Sequence, residues 1–119
     1  MDDIKINKEI ANWVENNFRA ETRATITLGI AEEAGEVCRA VLKQQQGIRG
    51  TYEEWDEEIK KELADVYIKL VHLASFIGWD LSKLIETRWI EIQKRDWIKN
   101  PTGHGIEKYD YETEGLGGT

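Results

Sequence analysis

Six apolar residues, Ile59, Leu63, Val66, Leu70, Leu73 and Ile77, recur at alternating spacings of four and three. That rhythm holds one apolar stripe on one side of an α-helix, and it is the repeat of helices packed on helices. No strand-like alternation of useful length competes with it. The ends of this helix are written locally. Thr51-Tyr52-Glu53-Glu54 matches a capping box, in which the threonine oxygen accepts from a backbone N–H and the glutamate reaches back to the threonine. Asp56, Glu57 and Glu58 continue an acidic opening that suits the positive end of the helix dipole. Gly78 stops the run.

Three more helices are expected around it. The first covers Asn7 to Asn17, with Asn7 as N-cap, Ile10, Trp13 and Val14 as its apolar side, and Phe18 closing it. The second covers Thr25 to Gln45 and ends at QQQGIRG, a loop marked by Gly47 and Gly50. The fourth opens at Asp80 or Ser82 and extends to about Ile98. Beyond Pro101, the single proline, the chain is polar and glycine-rich. The expectation is an all-α, four-helix-bundle-like single domain over residues 1–98 with a flexible tail over 99–119. The third helix would reach roughly 40 Å at about 1.5 Å per residue, longer than a compact domain of this size covers alone. A homodimer or homotetramer would complete its burial.

Charge narrows the partners. A net charge of −7 argues against a nucleic-acid polymer, whose binding surface shows as a basic patch. The first residues are acidic where a signal peptide needs bases, and no apolar run approaches the ~20 residues of a membrane span. A cytoplasmic protein without a membrane partner is expected. Cys38 is alone and falls in a helical apolar pattern, so it reads as a small core residue. Trp13, Trp55, Trp79, Trp89 and Trp97 read first as core and interface packing, with stacking on a base as the alternative.

Within the second helix, GIAEEAGEV crowds Glu32, Glu33 and Glu36 on adjacent faces. Like charges three or four residues apart cost a helix roughly 0.2–0.5 kcal/mol per pair. Neither Glu33 nor Glu36 has a lysine four residues on, since those places hold Val37 and Ala40. The third helix carries an echo in Glu62, Asp65, Lys69 and His72, a stripe beside its apolar seam. If the two helices run antiparallel, the carboxylates converge on one pocket, with Gly29, Ala34, Gly35 and Ala40 leaving room for an ion and its waters. An all-oxygen donor set suits a hard divalent cation, Mg²⁺ or Mn²⁺. The opposing reading is an acidic face that is simply solvated, as in a non-catalytic helical adaptor. A redox di-metal bundle needs Glu-x-x-His pairs, which neither histidine makes.

The pattern EExxE followed by ExxD, as Glu32-Glu33-Ala34-Gly35-Glu36 and Glu62-Leu63-Ala64-Asp65, resembles the MazG-like all-α nucleotide pyrophosphohydrolases. The segments NNF, AVLKQQQGIR, ELADVYIKLVHLASFIGWDL and RDWIKNP extend the likeness over about residues 10–101. The resemblance implies Mg²⁺-dependent hydrolysis of nucleoside triphosphates between the α and β phosphates, giving monophosphate and pyrophosphate. It implies Glu33, Glu36, Glu62 and Asp65 as metal ligands, with Glu32 as a further ligand or an orienter of water. Phosphoribosyl-ATP pyrophosphohydrolase shares the design and is the nearest alternative. Lys69 stands where the family faces the phosphates, against a helical salt bridge to Asp65. Lys43 and Arg49 bracket the loop after the second helix, and Arg88 and Arg95 share a face of the fourth, all as candidate substrate contacts. Ile92 stands where many relatives carry asparagine, which sets the contacts of that region apart. His72 reads as a polar neighbour of the pocket and His104 as a solvated residue.

Overall fold

The computed structural model describes residues 3–102, so the expected tail beyond 102 and His104 lie outside the described residues. Four helices follow in order: α1 (Asp3–Asn17), α2 (Arg23–Gln46), α3 (Tyr52–Ile77) and α4 (Leu81–Ile92). No strand occurs among the described residues. The chain divides into two compact units, Met1–Ser82 and Lys83–Thr119.

In the first unit α2 and α3 form a helical hairpin. Gln44 bonds Asp56, Glu33 neighbours Asp65, and Lys69 lies against Gly29, so the partners run in opposite order and the helices are antiparallel. The joint between them is tied in three places. Gly47 closes α2 in the left-handed region at φ 71°, a conformation that costs glycine little. The buried Gln44 amide donates to the Tyr52 carbonyl at 2.9 Å and to the Asp56 carboxylate at 2.7 Å. The Trp55 indole donates to the Ile48 carbonyl at 3.0 Å, beneath the Arg39 guanidinium at 5.8 Å. The capping box at Thr51 and Glu54 is present as the sequence predicts.

Helix α1 lies on α3, and Val14, Val71 and Ala74 are buried there, while Ile26 and Ala40 are buried along α2. Asn7 is not an N-cap. The helix begins at Asp3, and Asn7 is buried, its carbonyl oxygen accepting from the Tyr67 hydroxyl at 2.6 Å and its amide donating to Ser82 Oγ at 2.7 Å. A buried amide needs partners on both sides, and these two supply them. The cap of α2 also moves: Thr22 is the N-cap, and Thr25 answers it from the third helical position.

The seam of α3 is only half covered. Leu63 is 56% exposed and Leu70 36%, because the inward side of α3 is set by Val71, His72 and Ala74. Leu63 and Leu70 line an open apolar groove of about 480 Å³ with Ala34, Val37, Cys38, Val66 and Tyr67. Cys38 is therefore exposed in this chain, not a core residue. Trp13, Trp79, Trp89 and Trp97 are likewise about half exposed, so core packing does not account for them.

In the second unit α4 stops at Ile92, short of Ile98. The Asp96 carboxylate accepts from the backbone N–H of Ile98 and Lys99, both at 3.0 Å, and starts a separate turn there. An aspartate that satisfies nearby backbone donors in this way competes with continuation of the helix.

Candidate metal centre

The hairpin register brings Glu33 of α2 to Glu62 and Asp65 of α3. One carboxylate oxygen from each lies within 4.8 Å of the others. Glu33 and Glu62 are half-buried and Asp65 is exposed. Three negative groups so close disfavour their own ionisation. The Glu33 carboxyl is raised above the ordinary range, by burial first, then by the charges of Asp65, Glu32 and Glu36, with Lys69 opposing. The Glu62 carboxyl is pushed up to about 7. Its largest cause is a hydrogen bond with Glu58, followed by desolvation and by the charges of Glu58, Asp65 and Glu36.

Glu36 and Glu32 stand outside the three-way cluster but within electrostatic reach of it. Glu58 is the participant that sequence reasoning missed. Its signal was its place four residues before Glu62, where it read as part of the acidic helix opening. It also meets Lys61 at 4.0 Å on the solvent side.

One turn beyond Asp65 on α3 lies Lys69. It is not paired with Asp65; its ammonium sits 5.3 Å from the centre of the Phe18 ring. A Cβ on Gly29 would stand 3.3 Å from both its Cε and Nζ, so the lysine rests on bare helix backbone. Beyond Lys69, His72 is 3% exposed and stacks on Phe18 at 5.8 Å between ring centres. Burial and the Lys69 charge lower the affinity of this imidazole for a proton, against a smaller pull from Glu21.

Lys43 and Arg49 belong to the loop end of the hairpin. Lys43 is ten residues beyond Glu33, about 15 Å along the helix, and donates to Gln46 at 3.4 Å. Arg49, in the α2–α3 loop, is exposed and takes φ 64°. In the second unit Arg88 meets Glu91 at 3.2 Å, and the Arg95 guanidinium lies 6.0 Å from the Trp97 ring.

The donor set fits a divalent cation. Three carboxylate oxygens converge from two helices, and the repulsion among them, which adds to burial in raising Glu33 and to the Glu58 contact and desolvation in raising Glu62, is what a cation would relieve. Helical architecture and clustered acids together define the class of all-α carboxylate-site proteins. The family model for the MazG nucleotide pyrophosphohydrolase domain matches residues 21–96, from before α2 to beyond α4. The chain belongs to that family. Comparison with curated proteins and with solved structures returns no match. Among the described residues no helix is long and apolar enough to cross a membrane.

Proposed function

We propose that this chain is a Mg²⁺-dependent pyrophosphohydrolase that cleaves ribo- or deoxyribonucleoside triphosphates between the α and β phosphates. The products are a nucleoside monophosphate and pyrophosphate. The observation that carries this reading is the meeting of Glu33, Glu62 and Asp65 within 4.8 Å on one side of Lys69, in a chain of this family. Those three residues would hold the ion, with Glu36 as a fourth ligand and Glu32 as a further ligand or an orienter of water. A bound Mg²⁺, or Mn²⁺ in its place, supplies charge neutralisation for the triphosphate and a more acidic water. Lys69 supplies a positive charge for the phosphates. Its seat on Gly29 and Phe18 limits where its ammonium points, which is the positioning that phosphoryl transfer rewards. Lys43, Arg49, Arg88 and Arg95 remain candidates for contacts to the phosphates.

The half-exposed Leu63 and Leu70, with Cys38 beside them, support a homo-oligomer, dimer or tetramer, that covers the α2–α3 groove. A helical domain through residue 98 in a cytoplasmic setting completes the reading. A panel of nucleoside triphosphates and phosphoribosyl-ATP, scored for pyrophosphate with Mg²⁺ and with EDTA, tests it. Metal-dependent pyrophosphate release from a triphosphate is expected. Diphosphate plus orthophosphate as the main products would reject it, and turnover of phosphoribosyl-ATP alone would redirect it.

A further inference from the structure

A cleft of about 400 Å³ lies between the C-terminal end of α1 and the last turns of α3, lined among others by Asn16, Phe18, Arg19, His72, Ser75 and Phe76. Its volume falls within the roughly 300–1,000 Å³ of small-molecule sites. It adjoins the acidic cluster through one residue: Lys69 touches the Phe18 ring on the cleft side and faces Glu33 on the other. The lining combines an aromatic face, Phe18, with a deeply buried histidine. His72 Nδ1 is shielded from solvent and has no hydrogen-bond partner. A buried polar atom left unpaired costs about 1–3 kcal/mol, so its persistence calls for a partner that arrives from outside.

We propose that this cleft seats the heterocyclic base of the nucleotide, stacked on Phe18 and hydrogen-bonded to His72. The proposal rests on the reading of the acidic cluster as the triphosphate end of the site. The ligand class follows from the chemistry of the walls. A planar aromatic heterocycle uses the ring face of Phe18, and its ring nitrogens and exocyclic groups meet the imidazole. Burial and the Lys69 charge favour the neutral imidazole, which offers one donor and one acceptor; Glu21 is the acid that opposes them. An inorganic polyphosphate could use Arg19 at the rim but neither the Phe18 ring face nor the His72 imidazole.

The chain has two histidines, so the imidazole signals of His72 are resolved by comparison with His104→Gln. Nucleoside 5′-monophosphates are titrated into the full-length protein while the imidazole nitrogens are followed by NMR. The His72 signals are expected to shift saturably, and tripolyphosphate is expected to leave them in place. In turnover, His72→Phe keeps the ring stack and removes the nitrogens, and should raise KM about tenfold or less, the loss of one hydrogen bond of ~1 kcal/mol. Its inhibition by tripolyphosphate should change less than twofold. Phe18 is part-exposed, so Phe18→Leu keeps the test open if His72→Phe fails to fold; it should raise KM with the same indifference to tripolyphosphate. Hydrolysis of nucleotides with no shift at His72 would overturn the cleft proposal while leaving the reaction intact. A saturable shift with no hydrolysis of any triphosphate would support the cleft and reject the reaction.

Discussion

Replacing Gly29 by alanine sets helix stability against the placement of Lys69. Gly29 is inside α2, where glycine is less favourable than alanine by about 1 kcal/mol. The new methyl would meet Lys69 Cε and Nζ at 3.3 Å and Cδ at 3.4 Å, a few tenths of an ångström inside the usual ~3.5–4.0 Å separation. The atoms it meets are the far end of a flexible side chain, which can swing aside for about 0.5 kcal/mol or less. The net should therefore be a gain of roughly 0.5–1 kcal/mol, or about 2–5 °C in Tm. The displaced ammonium should lower kcat/KM by about three- to tenfold, equivalent to ~0.7–1.4 kcal/mol of transition-state stabilisation. Gly35→Ala is the control, because a Cβ there meets nothing within 4 Å. It should give the full helix gain of about 1 kcal/mol, with no offset from Lys69. Thermal melts and pyrophosphate release on the three proteins make the comparison. A fall in Tm for Gly29→Ala alone would show that Lys69 is pinned in place, and a rise with full activity would remove Lys69 from the reaction.

The pH dependence of stability should bear the mark of Glu62. Its carboxyl is raised from 4.5 to about 7, so the folded state holds a proton that the unfolded state releases. Stability should therefore fall as pH rises from about 4.5 through 7 in metal-free buffer, and chemical denaturation of Glu62→Gln should show a flatter profile over that window. Asp65→Asn should match the parent in EDTA yet lose about a hundredfold or more in kcat, since the ion loses a positioning ligand. The parent should gain about 2.7 kcal/mol at a hundredfold excess of Mg²⁺ over Kd, and melting curves of Asp65→Asn should show little of that gain. Sedimentation should find an oligomer that Leu63→Glu with Leu70→Glu converts to monomer; a monomeric parent at micromolar concentration would count against the covered groove.

What was legible in the chain was local or periodic. The capping box at Thr51 and the stop at Gly78 involve neighbours within a turn, and both are present. The acids were legible because ExxE and ExxD spacing fixes a helical face and a short loop makes the helices antiparallel. Three of the four expected ligands meet; Glu36, rotated by about 60° from Glu33 on its helix, stays apart from the group. The misses share a cause. Asn7 resembles a cap because asparagine caps well, and its true partners are 60 and 75 residues away. Beyond Ile92 the apolar pattern continued while the helix did not, and Asp96 starts a separate turn there, a carboxylate turning on its own backbone that pattern does not register. The seam identified an apolar face of α3 but not what covers it, which is why Leu63 and Leu70 read as core. Glu58 bears on the cluster only by raising the Glu62 carboxyl, an influence that spacing alone does not announce.

The Asn7 relay has a consequence for how the molecule comes apart. The three clustered acids and Lys69 all stand on the α2–α3 hairpin, which carries its own caps and its own tie at Gln44. The cleft beside them borrows one wall from α1, and α1 is fastened to α3 by the Tyr67–Asn7 bond and by Val14. Elements held by few buried groups open first, well below the free energy of global unfolding. Peeling of α1 would leave the three acids on their hairpin, remove one wall of the cleft and take the Phe18 side of the Lys69 seat with it. On the readings proposed above, Asn7→Ala should weaken discrimination among nucleosides more than it weakens metal binding, because Asn7 holds α1 to Tyr67 of α3.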